Sequence, residues 1–96
     1  MALYMVSYDI AEQDSSEYDP LWSLLVDWKA HRVLYSQWVL VAAPGSAMRL
    51  AEIITEAVPL KDKDRLLVQE VAQDAAWLNL ELPDSQAVIV FAAARP

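Results

Sequence analysis

The sequence holds no cysteine, one glycine and one histidine among its 96 residues. Without cysteine there is neither a disulfide framework nor a thiolate metal site. The single histidine, His31, excludes a multi-histidine metal cluster and argues against a serine–histidine triad. The single glycine, Gly45, excludes a glycine-rich phosphate loop. Cations are scarce as well: seven Lys and Arg stand against fourteen Asp and Glu, a net charge of −7. A surface of that sign repels phosphate backbones unless its cations gather on one face or metal ions intervene, so non-specific nucleic-acid binding is disfavoured. No apolar run approaches the ~20 residues that span a bilayer. The start, Met-Ala-Leu-Tyr-Met-Val, lacks the basic opening and small-residue cleavage site of a signal peptide. The expected location is the cytoplasm, with no membrane association.

What is there suffices for a core. Hydrophobic residues make up 56% of the chain, with four Trp and four Tyr, which rules out disorder and low complexity. The length fits one domain, residues 1–96. A chain this size buries only a little over ~60% of its unfolded surface, so its core must be efficient or shared with a partner.

Ala2–Asp9 is apolar on both sides of its alternation, as suits a central strand covered on both faces. Residues 10–19 are polar, carry Glu12, Asp14, Glu17 and Asp19, and read as a loop. Asp19-Pro20 then supplies a helix start, a capping carboxylate before a first-turn proline. Leu21, Leu24, Leu25 and Trp28 follow at i, i+3, i+4 and i+7, one apolar stripe ending near 29–30. Residues 31–43 are β-branched and aromatic and about twice a usual strand length. They split into antiparallel strands, 31–35 and 37–43, turning near Tyr35-Ser36; one long bent strand is the alternative. Ser46 can cap a second helix, with Leu50, Ile53, Ile54 and Ala57 in helical spacing and Pro59 closing it. A charged loop, Lys61-Asp62-Lys63-Asp64, leads to a fourth strand over 65–71.

The order β-α-β-β-α-β predicts an α+β, ferredoxin-like fold: a four-stranded antiparallel sheet with two helices on one face, plus a C-terminal segment. Residues 1–72 form the core in this reading and 73–96 the extension. The helix-free face would lie bare, more apolar area than a soluble monomer usually tolerates. The segment 82–94, a strand by its Val-Ile-Val-Phe run or a helix by its alanines, would cover it or cross to a second copy. A homodimer is expected on that ground.

The same topology gathers Asp9, Tyr35-Ser36 and residues 61–65 at one sheet edge, and sends Lys29, His31 and Arg32 to the opposite one. Asp9 is the sharpest single residue. It either ends the strand or pairs with Arg65, or it contributes one of two symmetry-related carboxylates to a Mg²⁺ site. Lys61, Lys63 and Arg65 are candidate phosphate contacts, though Asp62 and Asp64 nearly cancel them. The acidic loop 12–19 lacks the spacing and glycine of an EF-hand and reads as a solvated face. Ser7 and Ser36 have no histidine near them in this topology. The tryptophans at 22, 28, 38 and 77 read as core or interface.

One resemblance adds to this. Val6-Ser7-Tyr8-Asp9-Ile10, then Arg32-Val33-Leu34-Tyr35-Ser36-Gln37-Trp38, then Asp64-Arg65-Leu66-Leu67-Val68, resembles the small CRISPR-associated spacer-acquisition ("Cas two") family and its relatives of the virulence-associated protein D kind. The likeness covers about residues 1–72. It implies a ferredoxin-like homodimer in which the aspartate closing strand one, here Asp9, faces its twin across a cleft. In some members that aspartate serves Mg²⁺-dependent phosphodiester cleavage; in others the dimer bridges integrase subunits and holds DNA, so an integrase-type partner is implied. Tyr8, Arg32 and Ser36 match other motif positions. Where the family often has an aromatic followed by Glu-Gly, this chain has Trp38-Val39-Leu40. Two copies would carry twice −7, or −14, a poor surface for DNA. The alternative is a non-enzymatic acidic interaction module, antitoxin- or immunity-like, that masks a basic partner.

Overall fold

The computed structural model describes residues 2–10, 15–71 and Leu78, with only the backbone described over 15–19. Six elements follow in chain order: β1 (Ala2–Asp9), α1 (Ser15–Asp27), β2 (His31–Leu34), β3 (Gln37–Ala42), α2 (Ala47–Ala57) and β4 (Arg65–Glu70). The strands form one antiparallel sheet in the order β2-β3-β1-β4. The expected α+β arrangement of four strands and two helices is present, and the first and fourth strands are neighbours.

Alternation along the strands sorts the side chains between two faces. Tyr4, Val6 and Tyr8 of β1, Trp38 and Leu40 of β3, and Leu66 and Val68 of β4 share one face. Leu21 and Leu25 of α1 and Leu50 and Ile54 of α2 pack against it in the same cluster, so both helices lie on that side. Leu21, Leu25 and Ile54 are fully buried, which explains why apolar residues at helical spacing were needed there.

The other face is not bare. Leu3, Val33 and Val39 are buried on it, whereas Val41, Leu34 and Leu67 stay exposed toward its margins. A single two-helix layer alone leaves this face in need of cover, and its centre is buried. The expected cover, residues 82–94 as strand or helix, lies outside the described residues.

Helix α1 starts earlier than Asp19-Pro20 suggests. It opens at Ser15 and carries Pro20 inside. Pro20 stands sixth of its thirteen residues, past the first turn, so it removes a backbone donor that would have bonded the carbonyl four residues earlier. The helix ends in a Schellman arrangement. Ala30 N–H donates to the Leu25 carbonyl at 3.0 Å and Lys29 N–H to the Val26 carbonyl at 2.9 Å. Lys29 occupies the left-handed position with φ 59°, a place usually given to glycine.

The 31–43 run is two strands, with Leu34 paired to Gln37 across the two-residue turn Tyr35-Ser36 and an irregularity between Arg32 and Leu34. Gly45, at φ 79°, takes the left-handed backbone the turn into α2 requires. Ser46 stands at the N-cap position but its side chain does not cap. Its hydroxyl donates back to the Ala43 carbonyl. The buried Tyr4 hydroxyl ties the same turn, donating to the Ala43 carbonyl at 3.0 Å and accepting from Ser46 N–H at 2.9 Å. Helix α2 stops at Ala57; Val58 is extended, as a residue before proline must be. Among the described residues no helix is long and apolar enough to cross a membrane.

Candidate functional site

Antiparallel pairing places Asp9, the last residue of β1, opposite Arg65, the first of β4. The hairpin turn joins them at the same edge through Tyr8 N–H, which donates to the Ser36 carbonyl at 3.1 Å. Asp9, Asp62, Lys63 and Arg65 line one open depression. A second, shallower one runs from Asp9 and Arg65 along Ser7 and Leu67. The structure therefore brings together Asp9, Lys63 and Arg65 from the expected set. Lys61 stands at the start of the 61–64 turn and does not line the depression.

Asp64 is committed within its own loop. Its carboxylate accepts from Lys61 N–H at 2.8 Å, and its own N–H donates to the Lys61 carbonyl at 3.0 Å. That leaves Asp9 and Asp62 as the carboxylates of the depression, flanked by Lys63 and Arg65. Asp9 is exposed. It faces Arg65 without closing an ion pair; Arg49–Glu52, at 3.5 Å, is the ion pair found among the described residues. Among those residues no three His, Cys, Asp or Glu side chains gather in a way that could hold a metal. Ser7 accepts from the Gln37 side-chain amide at 3.1 Å, and His31, paired with Val39 in β2, is not beside it. The acidic segment Glu12, Asp14, Glu17 and Asp19, like Trp77, lies outside the described side chains.

No family model, curated protein or solved structure matches the chain. Its chemistry has to be read from its own side chains.

The helix-facing side of the same edge carries a network that the sequence pattern does not announce. Trp22 Nε1 and Trp38 Nε1 both donate to the Tyr8 hydroxyl, at 2.8 and 3.2 Å. The Arg32 guanidinium lies 5.0 Å from the centroid of the Trp22 ring and 4.9 Å from that of Tyr35. Its Nε and Nη2 donate to the Tyr35 carbonyl at 3.2 and 3.0 Å. The topology alone sends Arg32 to the opposite edge. Its Cα does lie lower on the sheet, opposite Trp38, but the long side chain carries the charge up to the turn. The spacing Arg-x-x-Tyr leading into the two-residue turn is the available signal. Strand register, which ignores side-chain reach, hides it. Trp22 and Trp28 pack partly buried against the core and Trp38 is buried, as core tryptophans should be.

Proposed function

We propose that two copies of this chain join at the exposed β4 margin of the helix-free side of the sheet and hold nucleic acid, with Mg²⁺, at the edge where β1 ends. The observation that carries this reading is Asp9: an exposed carboxylate with no ion-pair partner among the described residues, at the end of the central strand β1. One chain offers Asp9 and Asp62 at this depression, and Mg²⁺ is usually held by one or two carboxylates together with substrate phosphate oxygens and water. A two-fold mate would supply the second Asp9. Exposed Leu67 on β4, beside Asp9, gives that mate apolar area to cover. Lys63 and Arg65 stand beside Asp9 to meet phosphate oxygens. Bound there, the ion would neutralise phosphate charge and polarise the scissile phosphodiester. The resemblance to the CRISPR-associated spacer-acquisition family supports nucleic acid as the ligand, and the acidic surface confines the contact to the short stretch around Asp9, Lys63 and Arg65. It also supports an integrase-type partner and a cytoplasmic setting.

The experiment is a Mg²⁺-dependent binding and cleavage assay on wild type and Asp9→Ala. The reading expects metal-dependent binding that Asp9→Ala loses while fold and mass stay unchanged. Equal binding by Asp9→Ala would remove Asp9 from the site.

A second reading has its own observation. Asp27, Glu52, Glu56, Asp62 and Glu70 are all exposed, in a chain of net charge −7. Such a surface suits an acidic module that covers a basic protein. It predicts salt-sensitive capture of a basic host protein and no metal-dependent binding of nucleic acid.

A further inference from the structure

We propose that Tyr35 and Arg32 form a stacking site for one unpaired nucleotide, the base on the Tyr35 ring and the phosphate on the guanidinium. Tyr35 stands at the tip of the β2–β3 turn and is 62% exposed. One of its faces lies against Arg32, so the exposed area includes the opposite face. The guanidinium is fixed on three sides: the Trp22 ring, the Tyr35 ring and two hydrogen bonds to the Tyr35 carbonyl. An arginine has five N–H donors, and two are spent on that carbonyl. Among the described residues no carboxylate pairs with it. In a chain rich in acid, a cation held rigid beside an open aromatic face, with no carboxylate paired to it among the described residues, is an arrangement that a flat ring carrying an anionic group completes. Holding the guanidinium in place beforehand removes much of the ordering cost of binding.

A nucleotide matches both halves, since every base has a face for a tyrosine and carries its phosphate close by. Duplex nucleic acid does not, because its base faces are hidden in the stack. The negative charge of the whole chain limits the contact to a single phosphate rather than a long backbone. Tyr8, whose hydroxyl receives Trp22 and Trp38, points to the helix side, and Asp9 follows it on the other side of β1. The platform is thus independent of any metal at Asp9.

The test is fluorescence anisotropy with a labelled short oligothymidylate, alongside calorimetric titration with free thymidine monophosphate, on the full chain. Tyr35→Ala should weaken binding roughly 5- to 150-fold, the range base–aromatic stacking spans, and Tyr35→Phe should restore it. With one phosphate engaged, the logarithm of affinity should fall with the logarithm of salt at a slope of about −0.7. Binding of both probes assigns a mononucleotide site; binding of the oligonucleotide alone assigns a strand. Met48→Ala, at the exposed start of α2 and in neither proposed site, is the control and should bind as wild type. Binding that survives Tyr35→Ala unchanged, duplex binding as tight as single-strand binding, or no binding of either probe would each overturn the platform. Loss in Asp9→Ala with none in Tyr35→Ala would overturn it while leaving the Asp9 edge standing.

Discussion

Removing the Tyr8 hydroxyl takes away the oxygen to which Trp38, a buried residue, donates. A buried donor left without an acceptor costs about 1–3 kcal/mol. Tyr8→Phe should therefore lower stability by that order in denaturant unfolding, with little change in the slope. An unchanged midpoint would show that the indole N–H finds other company. Backbone conformation decides the next two residues. Gly45 has open space where a side chain would begin, with nothing within 4 Å of the point a Cβ would occupy. The cost of Gly45→Ala is then the left-handed backbone alone, about 1–2 kcal/mol. Lys29 sits in the same region of backbone space without being glycine. Lys29→Gly should give back part of that penalty and raise the unfolding midpoint by a few degrees, measured by thermal circular dichroism. A lower midpoint would mean that the lysine stem packs usefully on the helix end.

Elements show how much can be read from the sequence, and why some cannot. Strand β1 is legible to its last residue because its apolar alternation runs unbroken from Ala2 to Tyr8 and Asp9 ends it. Helix α2 is legible because Leu50 and Ile54 recur at the helical period, and both are buried. The start of α1 is not. Asp19-Pro20 has the chemistry of a helix start, yet the chain is helical from Ser15 onward and accepts the proline within its second turn. Local preference points to the wrong boundary there. Placing Asp9, Lys63 and Arg65 at one edge needs only the strand order. Placing Arg32 needs the length of its side chain, which strand order does not carry. The stripe of α1 is open to a direct test: Leu25 is fully buried in the cluster between helix and sheet. Leu25→Ala should cost about 2–5 kcal/mol, the loss expected when a buried leucine leaves a partly relaxed cavity. A loss under about 1 kcal/mol would mean that α1 is loosely seated.

For the whole molecule, one sheet carries two different surfaces at the same edge. On the helix side, Tyr8, Trp22, Trp38, Arg32 and Tyr35 form a connected aromatic and guanidinium cluster. On the other side, Asp9, Lys63 and Arg65 share an open depression, and the exposed Leu67 lies just beyond it. The proposed function depends on that second surface meeting its twin, because its metal site is two Asp9 carboxylates facing one another across a two-fold axis. Leu67 lies on the same face as Asp9, two residues along β4 from Arg65, so a charge placed there should oppose the union without touching the helix-side core. Sedimentation equilibrium at micromolar concentration on wild type and Leu67→Glu tests this most directly. Wild type should sediment at twice the chain mass of 10.8 kDa, and Leu67→Glu at 10.8 kDa with its circular dichroism unchanged. A wild-type chain that sediments at 10.8 kDa would contradict the shared Asp9 site.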